Sequence, residues 1–167
     1  MTETGEAART EIPQPYRFTA NWQYGGEYRS KLEEQERNGF CQFCAWWERQ
    51  DRIIAEVNGW FARRRDYPYR GRNNVPSRHA ILLMPKRHVI SLDELTEADA
   101  YDRFHLTRQV KASLGITGWG ELSRMDDPDR SGATQLHIHV HMVEPGDHPN
   151  PNPDTDGKSD PIAIWIG

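Results

Sequence analysis

Within the stretch LHIHVHMVEP, His137, His139 and His141 alternate with Leu136, Ile138, Val140 and Met142. In an extended chain that spacing puts three imidazoles on one face and four apolar side chains on the other. Imidazole can ligate a metal, attack phosphorus as a neutral nucleophile, or move a proton near neutral pH. Same-face neighbours lie about 6.5–7 Å apart along a strand and the outer two about 13 Å apart, so one ion cannot easily take all three. An adjacent pair could share a metal only with added ligands, such as Glu121, Glu144 or a remote histidine.

A second chemical set is CQFC, which holds the chain's only cysteines, Cys41 and Cys44. Two cysteines do not make a disulfide-stapled scaffold, which leaves metal ligands, a redox pair or two buried thiols. Two thiolates joined by two imidazoles form a tetrahedral zinc set, and His88, at the end of HAILLMPKRH, and His137 are the natural supplements. No second thioredoxin-like feature follows the pair, which favours zinc over redox chemistry.

These residues must be positioned by strands and one long helix. RIIAEV and WFARRR flank Asn58-Gly59, which suits a tight hairpin turn. HAILLMP reads as a strand buried on both faces and stopped by Pro85, which brings Lys86, Arg87 and His88 to a strand end. In LTEADAYDRFHLTRQVKASLG, Thr96 and Asp99 form an N-cap pair, Leu106, Val110 and Leu114 repeat at helical spacing, and Gly115 supplies a stop. Residues 116–123 are expected as a further strand and MDDPDRSG as an exposed turn before the histidines. A short helix is expected from Glu27 to Arg37, ending near Gly39, and the tryptophans of WWERQ are expected to pack. After Glu144 the chain reads as a wrapping loop whose apolar end, IAIWIG, docks on its own domain or on a partner.

The chain has 167 residues, 36% hydrophobic and 28% charged, with a formal charge of -4, which suits one soluble domain and argues against non-specific nucleic-acid binding. Positive charge is concentrated between Arg63 and His88, where six arginines precede Lys86 and Arg87 against the single acid Asp66, a distribution suited to a small anionic substrate or to a solvated loop. No secretory signal or membrane-spanning stretch is evident, so the cytoplasm is the default location.

Taken in order, CQFC, RHAILLMPKRHV, an intervening helix and HIHVHMVEP resemble the histidine triad family of nucleotide hydrolases and transferases, above all its zinc-containing branch. The resemblance covers about residues 39–146, leaving 1–38 as an N-terminal arm with a possible short helix and 147–167 as a C-terminal wrapping tail. It implies an α+β fold: a histidine-triad-like antiparallel sheet with one main helix and a structural zinc site. It also implies a homodimer in common with many relatives, and a nucleotide or nucleotide-like phosphate as substrate. By position, His139 matches the family nucleophile and His141 the residue that meets phosphate oxygens or the leaving group. His137 matches the first triad histidine, which in zinc-bearing relatives joins residues matching Cys41, Cys44 and His88. Galactose-1-phosphate uridylyltransferases share a distant version of the arrangement.

Backbone N–H groups around Gly132, Ala133 and Thr134, and the side chain of Arg87, are expected to bind the phosphate. Two departures from the family pattern touch these contacts. SGATQLH places Ala133 and Thr134 where many members carry Gln or Ser, with no asparagine between residues 75 and 149, and YPYRGRNNVPS lengthens the segment before HAILLMP. Besides hydrolysis or transfer through a nucleotidyl-histidine, two other functions fit the residues: a zinc-stabilised binding protein without turnover, and a metal-dependent oxygenase or hydrolase.

Overall fold

Asn58 turns the chain at a φ of 44° and closes an antiparallel pair, β1 (Ile53–Val57) with β2 (Trp60–Arg64), as the Asn-Gly dipeptide predicts. The computed structural model describes residues 30, 33–34, 37–39, 41–131, 133–150 and 157–164. Of the expected first helix only part falls among them, where residues 30, 33–34 and 37 are helical and Gly39 follows at a φ of 62°. Trp165 lies outside the described residues.

β2 pairs with β3 (His79–Pro85), and β3 with β5 (His139–Glu144). The outer strand β4 (Gly120–Arg124) pairs with β5, giving an antiparallel order β1-β2-β3-β5-β4. The apolar run of β3 is explained by this central place: six of its seven residues are buried. With one long helix against it, the sheet is the histidine-triad-like α+β architecture that the sequence implies.

Cross-strand register assigns the two faces. Arg63, Leu82, His141 and Leu122 lie opposite one another across four strands and so share a face, together with Phe61, Met84 and His139. Trp60, Ala62, Ile81, Leu83, Val140 and Met142 occupy the reverse face and form the larger core. Against that core lies the main helix, here α2 (Glu97–Leu114), through Leu106 and Val110, both fully buried. Thr96 and Asp99 make the expected reciprocal cap, and Gly115 ends the helix at a φ of 65°. Asp99 also accepts from Trp60 Nε1 at 3.2 Å, which ties the helix start to β2.

Three expectations change in detail. The histidine strand begins at His139, and residues 134–137 bend before it. The reason lies in its neighbour: β3 ends at Pro85, which has no N–H to give, and Ile138 N instead donates to Val89 O at 2.7 Å. β4 starts at Gly120, four residues later than expected, because Ile116 is buried in the helix-side core immediately after the Gly115 turn. MDDPDRSG contains a one-turn helix, Pro128–Ser131 (α3), with proline at its first position, where no N–H is needed. No helix among the described residues is long and apolar enough to cross a membrane.

The helix-side core predicts a large response to truncation at its centre. Leu106→Ala should lower the unfolding free energy by about 2–5 kcal/mol at unchanged denaturant slope, the cost of lost burial plus a cavity. A loss below about 1 kcal/mol in urea unfolding would contradict the packing described.

Candidate functional site

The opposite face of the sheet carries His139 and His141. Cys41 stands in extended conformation before the short helix α1 (Gln42–Trp46), so Cys44, three residues on, returns to the same side. Phe43 and Trp46 anchor this segment by packing with Phe61, Leu82 and Met84 on the sheet. The two sulfurs are thereby delivered to the end of β3, where the chain runs on through His88.

Four donors converge there. The ligand atoms of Cys41, Cys44, His88 and His137 all lie within 4.8 Å of one another, and these residues are the one such group found among the described residues. Cys41 Sγ is 3.4 Å from His137 Nδ1, Cys44 Sγ is 3.4 Å from His88 Nδ1, and Cys44 Sγ is 3.6 Å from His137 Nδ1. A tetrahedral ion with bonds of about 2.3 Å to sulfur and about 2.05 Å to nitrogen sets those donors about 3.6 Å apart. The spacing therefore fits a metal ion at the centre of the group.

Charge and tautomer fit as well. Hydrogen bonding to Cys44 pulls the Cys41 thiol down into the thiolate range against the cost of burial, while Cys44 is pushed up by the neighbouring sulfur. The pair alone thus favours one negative charge, and a divalent cation is what would let both sulfurs ionise. His137 Nε2 lies 2.9 Å from the Pro85 carbonyl, which can only accept, so this nitrogen carries the proton and Nδ1 offers its lone pair toward the sulfurs.

Two residues on, the same device is used in reverse. His139 Nδ1 lies 2.7 Å from the His137 carbonyl and donates to it, which leaves Nε2 with a lone pair. Burial pushes this ring down to about 4 despite that hydrogen bond, and the charges of Arg124 and Arg65 push the same way. The ring is therefore neutral at pH 7. Phe43 meets the rings of His137 and His139 edge-on, with centroids 5.7 and 5.1 Å away, and so separates the sulfur cluster from the next site along the strand.

His141 follows, its ring centroid 4.9 Å from that of His139. Its Nδ1 is 3.0 Å from the Tyr69 hydroxyl, and its Nε2 is buried with no hydrogen-bond partner among the described residues. Burial pushes its pKa well below the usual value, reinforced by His139, Arg65 and Arg124.

The structure brings six predicted residues into one line: Cys41, Cys44, His88, His137, His139 and His141. Arg87 is placed differently, because its guanidinium bonds Asp99 Oδ2 at 2.6 Å and the Glu94 carbonyl at 3.0 Å, at the start of α2. Gly132 lies outside the described residues, while Ala133 is buried and Thr134 half-buried in the bend before the strand. Neither carboxylate weighed as a ligand joins the cluster: Glu121 is engaged by Arg103 and Trp119, and Glu144 lies 3.7 Å from His79. Sequence reasoning missed Tyr69 and Arg124, and held Arg65 only as one member of the basic stretch from Arg63 to His88. The register opposite His139 could have indicated Arg124, but no local signal marks Tyr69.

Solved structures share this fold. A protein from Leishmania major described as hypothetical is 21% identical, with a TM-score of 0.53 over 76% of this chain and 79% of its own. A histidine triad protein from Clostridium difficile is 18% identical, with a TM-score of 0.51 over 67% of this chain and 96% of its own. A histidine triad nucleotide-binding protein from Candida albicans is 14% identical, with a TM-score of 0.50 over 70% and 90%. No family model matches the chain, and no curated protein matches it. At these identities the likeness defines a fold, that of histidine triad proteins.

The depressed pKa of His141 has a signed consequence. In the unfolded chain an imidazole protonates as pH falls through about 6.5, whereas the folded ring resists, so this group's support for the fold is complete above that pH and is lost progressively below it. The His141 ring resonances in a proton NMR titration should hold still between pH 8 and pH 6. A midpoint near 6.5 would contradict the buried, charge-flanked setting.

Proposed function

We propose that this chain is a nucleotidyl hydrolase or transferase acting at phosphorus through a covalent bond to His139, with a structural zinc ion held by Cys41, Cys44, His88 and His137. The observation that carries the reading is the carbonyl bond to His139 Nδ1, which presents Nε2 as a neutral nucleophile beside His141. The nucleotide part of the reading is supported by the fold shared with the Candida albicans nucleotide-binding protein. Zinc suits a donor set of two sulfurs and two nitrogens at tetrahedral spacing, with no open position for substrate. When bound, it supplies rigidity, fixing His137 and hence the carbonyl on which His139 leans.

The chemistry then falls to the chain's own residues. The lone pair of His139 Nε2 forms a bond to phosphorus as the bond from phosphorus to the leaving group breaks, and the leaving group departs with its electron pair. His141 Nε2–H donates a hydrogen bond to the nonbridging oxygens or to that departing atom, stabilising its charge. In the second step water, giving up its proton to solvent, or an anionic phosphate acceptor forms a bond to phosphorus, and the P–N bond breaks with its electron pair returning to His139 Nε2. The positive charges of Arg65 and Arg124, which already act on both rings, favour an anionic group at this point.

One observation favours a second reading, a zinc-stabilised binding protein without turnover. His139 and His141 expose only 3% and 6% of their surfaces, so a substrate reaches Nε2 only if covering residues move. Intact-mass measurement decides between the two. After brief exposure to nucleotide polyphosphates, sugar nucleotides and nucleoside phosphoramidates, the parent chain should gain a nucleotidyl mass, and His139→Ala and His139→Gly should not. Absence of adduct and product across the panel favours the binding protein, and an adduct persisting in His139→Ala removes His139 as nucleophile.

The metal is tested separately. Purified protein should contain one zinc per chain by elemental analysis. Cys44→Ala should lose it and melt about 4–8 °C lower, the shift that about 2 kcal/mol produces in a domain of this size. Unchanged zinc content and melting would refute the ligand set.

A further inference from the structure

The turn between β2 and β3 returns to the site, and the end of the described chain holds it there. Tyr69 O accepts from Ser77 N at 2.7 Å, Gly71 N donates to Val75 O at 2.9 Å, and Asn74 turns at a φ of 63°, so residues 69–77 form a closed loop on their own hydrogen bonds. Beneath it lies Asp160, wholly buried. Its carboxylate accepts from Asn73 N at 3.1 Å, Asn73 Nδ2 at 2.8 Å and Val75 N at 3.3 Å. A Cβ added at Gly71 would fall 2.2 Å from Asp160 Oδ2, so glycine is what allows this approach.

Asp160 is itself tied to the catalytic strand. Its N–H donates to Gly146 O at 2.8 Å, two residues beyond β5, and Arg72 N donates to Pro161 O at 2.9 Å. A Cβ at Gly146 would meet Pro76 O at 2.4 Å, so the loop also rests directly on the strand's exit. The constraints form a circuit: β5 fixes Gly146, Gly146 fixes Asp160, Asp160 fixes the loop, and the loop sets the Tyr69 hydroxyl 3.0 Å from His141 Nδ1, back on β5. The Arg65 guanidinium covers the Tyr69 ring at 4.1 Å from its centroid.

We infer that Tyr69 is a positioning residue for His141, donating its hydroxyl proton to Nδ1 so that Nε2 carries the hydrogen toward the phosphate, and that Asp160 is the anchor that holds Tyr69 in place. The direction of the bond rests on the proposed reaction. His139 already presents a lone pair, and a second bare nitrogen beside it would repel the nonbridging oxygens, whereas an N–H attracts them. Tyr69 meets the ring at the nitrogen opposite in role to Nε2, so it orients without occupying the position the substrate needs.

Long-range nitrogen–proton NMR of the histidine-labelled, metal-loaded full chain tests this without any substrate, and so stands apart from the test of nucleotidyl transfer. The parent should show His141 in a single tautomer, protonated at Nε2. In Tyr69→Phe the His141 nitrogens should move to a tautomer mixture while the His137 and His139 signals and the metal content stay unchanged. Asp160→Asn should shift His141 in the same direction, and Asn73→Ala provides a milder loosening should that variant fail to fold. Where turnover is present, Tyr69→Phe should slow it about five- to tenfold, the size of one neutral hydrogen bond, with KM little changed. A His141 protonated at Nδ1 in the parent, or one unaltered by Tyr69→Phe, would overturn the inference; His141 unaltered in both Asp160→Asn and Asn73→Ala would overturn the anchoring.

Discussion

A carbonyl oxygen that accepts from one nitrogen of a neighbouring imidazole decides what the other nitrogen can do, and the site is built on two such bonds. Pro85 O accepts a hydrogen bond from His137 Nε2–H and turns its Nδ1 to the sulfurs. His137 O accepts a hydrogen bond from His139 Nδ1–H and leaves its Nε2 with a lone pair. Two identical side chains on one strand approach are thereby given opposite ends to work with, and no change of residue type is needed. The arrangement depends on backbone position, because a carbonyl can orient a ring only while the backbone carrying it is fixed.

What fixes the backbone is the difference between the two faces of the sheet. The helix side is a continuous apolar core, from Trp60 through Leu83 and Val140 to Leu106. The site side is covered piecemeal, by the CQFC helix at one end and the 69–77 loop at the other. Each piece is a separate tether: the sulfur cluster for the first, the Asp160 carboxylate for the second. Burial beneath them keeps both His139 and His141 neutral near pH 7, the state that the proposed nucleophile and hydrogen-bond donor require, and leaves almost no imidazolium on either ring.

Much of the fold was legible because the signals were local. Asn58-Gly59 marks its hairpin, Thr96 with Asp99 and Gly115 mark both ends of the helix, and the unbroken HAILLMP run marks a central strand. The sulfur and histidine donors were legible by type and spacing. Less visible was anything set by long-range return of the chain. Tyr69 sits in a stretch that reads only as loop, and reaches His141 because Asp160, ninety-one positions later, pins that loop. Arg87 shows the converse: a strand-end arginine beside a predicted ligand reads as a phosphate contact, and long-range packing also gives its guanidinium the Asp99 cap of the following helix as a partner. His137 likewise leaves the strand period because its partner strand has run out at Pro85.

The proposed site rests on a division of labour, with the first imidazole held by metal and the second kept free of it. X-ray absorption at the metal edge of the purified protein measures that division directly, since sulfur and nitrogen neighbours differ in distance by about 0.2–0.3 Å. Two sulfur and two imidazole ligands, with no exchangeable oxygen, are the predicted sphere. A third imidazole in the sphere, or a sphere lacking either sulfur, would contradict it.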